Sequence, residues 1–220
     1  MTLIELLVCL AVVIILGAIL IPTISYTLES SRSASCTSNL RQIGVAVTLW
    51  SQEHGGAMPD SRLWQEGADN AFSIAPYLGL GVDESTSVAT VLTCPSSANQ
   101  SESERIYRRT YSMNRYAGST FNGVVAPYTT LAPTKVTELL KLSERALFMD
   151  GVIRGSDTGL YFSYADQSHM NRNGGVHEQF PHRDGMNVLF ADGHVERIEA
   201  EYAVSELSKP WLSTPFWSGL

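Results

Sequence analysis

The stretch LLVCLAVVIILGAILIP, residues 6–22, is an unbroken apolar run without a charged side chain. From Met1 to Leu28, Glu5 carries the only charged side chain. A helix that crosses roughly 30 Å of hydrocarbon needs about 20 apolar residues, so residues 1–24 are long enough to span a bilayer. The stretch has neither the basic leader nor the small-residue cleavage site of a secretory signal. This favours an N-out anchor or a chain whose leader has already been removed.

The overall composition narrows the class of protein further. The 220 residues include 44% hydrophobic and 17% charged side chains, with a formal net charge of −7. That length gives one ordinary domain, or a small domain plus an appendage. Because binding to phosphates needs a clustered basic surface, the acidic balance argues against a nucleic-acid partner. The first 28 residues, with Glu5 as their only charged side chain, exclude a plain soluble globule.

Glu5 is the chemically decisive residue of the apolar segment. A carboxylate at membrane depth is costly and normally has a specific partner. The nearest cation on the chain is the α-amino group of Met1, one helical turn away. Two hypotheses remain open: Glu5 is solvated at the headgroup level, or it pairs with the terminal amine of a neighbouring copy and fixes the register between packed helices.

The segment Met1-Thr2-Leu3-Ile4-Glu5-Leu6-Leu7, followed by the apolar run and Pro22, resembles the mature N-terminus of type IV pilins and type II secretion pseudopilins. The resemblance implies that a prepilin peptidase has cut just before Met1 and that the new amine is methylated. It also implies that Glu5 is the assembly residue. Members of the family usually begin with Phe, and Met is an accepted variant.

The pattern becomes amphipathic after Pro22, where apolar residues recur at helical spacing from Ile24 to Trp50. We expect one long helix that ends near Glu53, before His54-Gly55-Gly56. Gly17 and Pro22 predict a kink or a locally melted segment. The expected domains are an apolar assembly or transmembrane helix (1–25), its amphipathic continuation packed on the head (26–54) and a β-rich globular head (55–220).

The head is rich in turn signals and poor in helical periodicity. Strands are predicted over residues 107–113, 146–149, 160–164, 187–191 and 194–199, and short helices over 69–80 and 134–142. The last two strands flank Asp192-Gly193, which is typical of a hairpin turn. The Ser- and Thr-rich residues 83–104 are predicted to form an exposed loop. An apolar C-terminal tail, residues 209–220, is expected to dock on its own head or on a neighbouring subunit.

A second resemblance covers nearly the whole chain. The segment from Cys36 to Gly44, Cys94-Pro95, Ser112-Met113-Asn114 and a His182-x9-Asp192-Gly193 signature are similar to a group of pilin-like proteins of undefined function. The implied fold class is α+β and type IV pilin-like, with a long N-terminal helix packed on an antiparallel sheet.

The cysteines fall into two classes. Cys9 lies in the apolar helix and is interpreted as a small buried hydrophobe. Cys36 and Cys94 lie in the exported part of the chain, where disulfides persist. A bridge between them would stabilise the head by roughly 4 kcal/mol in the chain-entropy model. The alternative is two free, buried thiols.

Four of the five histidines fall between residues 169 and 194. The favoured interpretation is that His182 packs or hydrogen-bonds against the hairpin. The alternative is a structural metal, for which the predicted ligands are His182, Asp184, Asp192 and His194. Ca²⁺ is then favoured over Zn²⁺, because related pseudopilins use it to order C-terminal loops. Asp150, Asp157 and Asp166 are further oxygen donors nearby in the sequence.

No nucleophile elbow, phosphate loop or paired-cysteine zinc motif occurs in the sequence, so we expect no enzymatic activity and no required cofactor. The leading hypothesis is a structural subunit that polymerises through its N-terminal helix. Its expected partners are other copies of itself, the prepilin peptidase and the assembly machinery. It would lie in the inner membrane first and in an extracellular filament afterwards. The alternatives are a secretion pseudopilin or minor pilin, and a membrane-anchored binding or enzymatic head.

Overall fold

The computed structural model of the chain describes residues 2–64, 73–81, 90–99, 110–118, 134–150, 164–165, 180–183, 185–207 and 214–218. Over these ranges the protein is α+β, as predicted from the sequence. A long N-terminal helix packs on a sheet whose four main strands are antiparallel.

Helix α1 runs from Leu3 to Glu53. Its first turn is capped by Glu5, whose Oε2 accepts a hydrogen bond of 2.7 Å from the backbone N–H of Thr2. At the other end, Gly55 and Gly56 have φ values of 66° and 83°. The N–H of Gly56 donates to the carbonyl of Ser51 at 2.8 Å, which is the Schellman pattern of a helix terminus. The predicted end near Glu53 is therefore confirmed.

The backbone of α1 stays helical through Gly17 and Pro22. A proline inside a helix removes one backbone hydrogen bond, but its fixed φ of about −65° is that of a helix, and the backbone continues through it. The locally melted alternative is therefore wrong for this single chain, and the kink stays a prediction.

The sheet contains five strands in the order β3-β1-β2-β4-β5. The strands are β1 (Tyr111–Asn114), β2 (Ala146–Asp150), β3 (Tyr164–Ala165), β4 (Gly185–Phe190) and β5 (Val195–Glu199). All neighbours are antiparallel except β1 and β3, which are parallel. Each predicted strand overlaps an observed one.

The hairpin predicted at Asp192-Gly193 is also confirmed. Strands β4 and β5 pair in register from Gly185↔Glu199 to Leu189↔Val195. Gly193 adopts a φ of 93°, a conformation that favours glycine, and its N–H donates to the carbonyl of Phe190 at 3.0 Å. The turn therefore fixes the register of the C-terminal edge of the sheet.

Each face of the sheet is covered by a separate layer. On one face, α1 buries Leu40, Ile43, Val47 and Trp50 against strand residues such as Phe148. On the other face lie a short helix α3 (Ala200–Tyr202), the π-helical turn that continues it (Ala203–Leu207) and α4 (Pro215–Ser218). Strands β2 and β4 are consequently buried along their whole length.

Residues 214–218 of the C-terminal tail dock on the protein's own head. Trp217 is fully buried, and its indole N–H donates to the carbonyl of Leu207 at 2.7 Å. Asn114 at the end of β1 donates to the carbonyl of Trp217 at 3.0 Å. The sequence left open whether the tail docks on its own head or on a neighbouring subunit. For residues 214–218 the structure shows docking on the protein's own head.

Some local predictions were wrong. The exposed loop predicted for residues 83–104 contains helix α2 (Pro95–Asn99), and Leu92, Cys94 and Ser96 are buried. Its attachment to α1 through Cys94 explains that burial. Where the two predicted short helices are described, over residues 73–80 and 134–142, they form 3-10 turns at Ala75–Leu78 and Val136–Glu138, and residues 69–72 lie outside the described ranges.

Candidate functional site

A disulfide between Cys36 and Cys94 joins α1 to the segment before α2, which confirms the predicted bridge. Both cysteines are fully buried. The neighbouring side chain of Asn39 donates to the carbonyl of Thr93 at 3.1 Å, and the N–H of Cys94 donates to the hydroxyl of Thr110. The bridge is therefore set in a network that already fixes this segment on the helix.

His182 lies beside the disulfide and is 2% exposed. Its Nε2 is 2.8 Å from Asp150 Oδ2, at the end of β2, and its Nδ1 is 3.1 Å from Glu29 Oε1 on α1. The same Nε2 is 3.4 Å from the sulfur of Cys94. One imidazole thus connects the long helix, the central sheet and the disulfide.

Asp150 is held on its other side by Asn187 of β4. The backbone N–H of Asn187 donates to Asp150 Oδ1 at 2.7 Å, and its side-chain amide donates to Oδ2 at 2.7 Å. A fully buried carboxylate needs such donors, since an unpaired one would be expensive. The strand pairing of β2 with β4 positions both residues.

Glu29 completes the cluster from the helix side. Its Oε1 also accepts a hydrogen bond of 2.7 Å from the hydroxyl of Ser96, and its Oε2 lies 3.8 Å from Arg32. Arg183, next to His182, stacks on the ring of Tyr26 at 3.9 Å from its centroid. We call five buried residues together with the partly exposed Glu29 the buried cluster: Glu29, Cys36, Cys94, Asp150, His182 and Asn187.

The carboxylates of the buried cluster shift the pKa values of His182 and Tyr111. Burial alone would lower the pKa of His182, but the hydrogen bonds and negative charges of Asp150 and Glu29 outweigh it, so the pKa is raised. Burial, reinforced by the charge of Asp150, raises the pKa of Tyr111 well above its usual range. The site thus favours a protonated imidazole at His182 and a neutral phenol at Tyr111.

The predicted metal ligands are not brought together in the described part of the chain. Asp192 and His194 contact each other at the exposed hairpin turn, where Asp192 Oδ1 accepts the N–H of His194 at 3.1 Å. His182 instead turns inward to Asp150 and Glu29. Asp184, Asp157 and Asp166 lie outside the described residues. The favoured interpretation of His182 is refined: its backbone N–H donates to the carbonyl of Gly185 in the β4–β5 hairpin at 3.0 Å, whereas its ring contacts Asp150 of β2 and Glu29 of α1.

The N-terminal end of the chain carries the two residues that the sequence predicts to act in assembly, Met1 and Glu5. Glu5 is exposed and hydrogen-bonds to Thr2, while Met1 lies outside the described residues. Large apolar side chains are exposed all along this half of α1, and Cys9, predicted to be buried, is exposed with them. By length and composition, α1 is able to cross a membrane, and its most apolar window has no cover in the single chain.

Sequence reasoning missed Glu29 and Asn187. Glu29 is seven residues before Cys36, so the two side chains lie on one face of α1 two turns apart. That spacing was the available signal for Glu29. Asn187 had no comparable signal, since its role depends on the pairing of β2 with β4.

We expect the stability of the oxidised head to fall as the pH rises. The pKa of His182 is raised in the folded protein, so its stabilising contribution is complete below the unfolded value of about 6.5. The contribution is then lost as the pH passes through the folded pKa. Urea unfolding of the full chain in detergent, at several pH values between about 6 and about 8.5, would measure this. His182→Gln should remove most of the dependence, whereas an unchanged slope would contradict the assignment. His194→Gln is the matched control.

Comparison with protein-family models, with curated proteins and with solved structures finds no significant match to this chain.

Proposed function

We propose that the protein is the structural subunit of an extracellular filament of the type IV pilin kind, with a pilin-like arrangement of helix and head. The observation that carries the proposal is the uncovered apolar half of α1. Side chains such as Leu7, Ile14 and Ile19 are more than half exposed, whereas the head buries α1 only from Cys36 onward.

The length of that exposed segment supports this function. Residues 3–28 extend for about 39 Å at 1.5 Å per residue. This is enough to cross a bilayer core of about 30 Å. Such a surface is unstable in water and needs either lipid or other apolar helices around it. A helix that leaves the inner membrane for a core of identical helices satisfies this need at both stages.

Glu5 supplies the specificity that an apolar surface lacks. Because lipid is as apolar as the helices, the association of helices that leave a bilayer depends on packing and polar contacts rather than on bulk hydrophobicity. A single carboxylate at a fixed position favours the one register in which it meets a cation. The proposed cation is the Met1 amine of the neighbouring subunit, after processing by a prepilin peptidase.

Electron microscopy of material sheared from cells that produce the chain would test the function, with the intact mass of the subunit measured in parallel. We expect uniform thin filaments whose subunit begins at a methylated Met1. A chain that remains in the membrane fraction without filaments would contradict the proposal. A substoichiometric presence in filaments of another subunit would favour a minor pilin or pseudopilin instead.

A further inference from the structure

We propose that reduction of the Cys36–Cys94 disulfide converts the buried cluster into a zinc site, with Cys36, Cys94, Asp150 and His182 as the four ligands. This inference does not depend on the filament function. One ligand atom from each residue lies within 4.8 Å of the other three, and all four residues are buried. Two sulfurs, an imidazole and a carboxylate are a ligand set that zinc accepts in tetrahedral sites.

The distances already approach those of a tetrahedral site. With Zn–S bonds of about 2.3 Å and Zn–N or Zn–O bonds of about 2.0–2.1 Å, neighbouring ligand atoms lie about 3.3–3.8 Å apart. The sulfur of Cys94 is 3.4 Å from His182 Nε2 and 4.0 Å from Asp150 Oδ2. His182 Nε2 and Asp150 Oδ2, which are 2.8 Å apart, would have to separate slightly. The two sulfurs separate when their bond breaks.

The outer contacts of the cluster suit a metal ligand set. A histidine that binds zinc through one nitrogen normally donates its other N–H to a carboxylate or carbonyl. Glu29 Oε1, at 3.1 Å from Nδ1, is placed to accept that hydrogen bond and to leave the Nε2 lone pair for the metal. The backbone N–H of Asn187 holds Asp150 Oδ1, and its side-chain amide donates to Oδ2, whose other lone pair faces His182 and Cys94 and would meet the metal.

The conversion balances in electrons and protons. A dithiol reductant gives two electrons and two protons to the Cys36–Cys94 bond and becomes a disulfide itself, leaving two thiols. Zn²⁺ then binds both sulfurs as thiolates, and their two protons pass to solvent. The Nε2 proton of His182 is released as well where the imidazole carries one. The zinc form thus belongs to reducing surroundings and the disulfide form to oxidising ones.

The charges and the surroundings of the site favour zinc over calcium. Thiolates and imidazole select zinc, whereas calcium prefers a shell of six to eight oxygens. The cluster is not sealed, since a surface cavity of about 150 Å³ reaches Glu29 and His182. The cavity is lined by His182, one of the four proposed ligands, so it brings solvent to the edge of the site.

The test is zinc binding by the full chain in detergent, in its oxidised form and after reduction by a phosphine that does not itself bind the metal tightly. Bound zinc is measured after gel filtration, and Co²⁺ is used as a spectroscopic probe of thiolate ligation. We expect one zinc per reduced chain, none per oxidised chain and a thiolate-to-cobalt absorption band. His182→Ala should abolish stoichiometric binding, whereas His194→Ala, which removes an exposed histidine, should keep it.

The variant Glu29→Gln separates the metal site from simple folding effects. It leaves all four ligands in place and should weaken zinc affinity about 10-fold or more, as loss of an outer-shell partner does. Circular dichroism would establish that each variant is folded. A reduced wild-type chain that binds no stoichiometric zinc would overturn the proposal, as would equal affinity in His182→Ala. Zinc bound equally by the oxidised chain would overturn it too.

Discussion

Glu5→Lys should abolish filaments while leaving the head folded. In the single chain, Glu5 is exposed, and within residues 2–64 its side chain accepts a hydrogen bond only from the N–H of Thr2. Between packed apolar helices its charge needs a cation, and an unpaired charge in such surroundings costs about 3 kcal/mol. That cost corresponds to about 100-fold in the association constant of each contact. Lysine places a second cation where the proposed partner is already an amine, so repulsion adds to the loss.

The yield of sheared filaments, normalised to the amount of chain in the membrane, would measure this effect. Glu201→Lys is the matched control, because it makes the same charge reversal at an exposed position of α3. The Cys36–Cys94 bond, measured by thiol labelling, reports that the head is intact. A normal yield from Glu5→Lys would rule out the pairing, and an equal loss in both variants would indicate that any charge reversal prevents assembly.

The long helix and the C-terminal hairpin were predictable because their signals are local. Apolar residues that recur at helical spacing indicate α1, and the two glycines after His54 mark its end. Asp192-Gly193 between two alternating strands fixes the β4–β5 turn. In both cases the residues that decide the structure lie within a few positions of the element they terminate.

The segment around α2 was not predictable because its structure depends on distant contacts. Its Ser- and Thr-rich composition is typical of a solvated loop. However, the disulfide to Cys36 and the hydrogen bond from Ser96 to Glu29 hold it against α1. A local pattern carries no information about such attachment.

The buried cluster shows the same limit. The sequence singled out His182 and its spacing to Asp192-Gly193, yet the partners of His182 are Asp150 and Glu29, 32 and 153 residues away. Asp150 was noted only as one of several oxygen donors. Which of them meets the imidazole is decided by the strand order β2-β4 and by the side of the sheet on which α1 packs.

Asp150→Asn should be among the most destabilising single changes in the oxidised head. The two carboxylate oxygens face donors from the backbone of Asn187, from its side chain and from His182, at 2.7–2.8 Å. An amide keeps one acceptor oxygen and turns its NH₂ group toward one of these donors, which leaves a protonated His182 without its buried counter-charge. Breaking a buried pair in this way costs about 3–5 kcal/mol. That is a large part of the stability of an ordinary domain, about 5–15 kcal/mol.

Asp192→Asn is the matched control, because it makes the same substitution at the exposed hairpin turn. Asp192 Oδ1 accepts the backbone N–H of His194 and contacts its ring Nδ1; an asparagine can accept the backbone bond equally well, and the ring contact is exposed to solvent. We therefore expect a change within about 0.5 kcal/mol. Urea unfolding of both full-length variants in detergent, under oxidising conditions and near pH 6, compares the two carboxylates directly. If Asp150→Asn were as mild as Asp192→Asn, the contacts of His182 with Asp150 would contribute little to stability, and the apolar packing of α1 on the sheet would hold the two together.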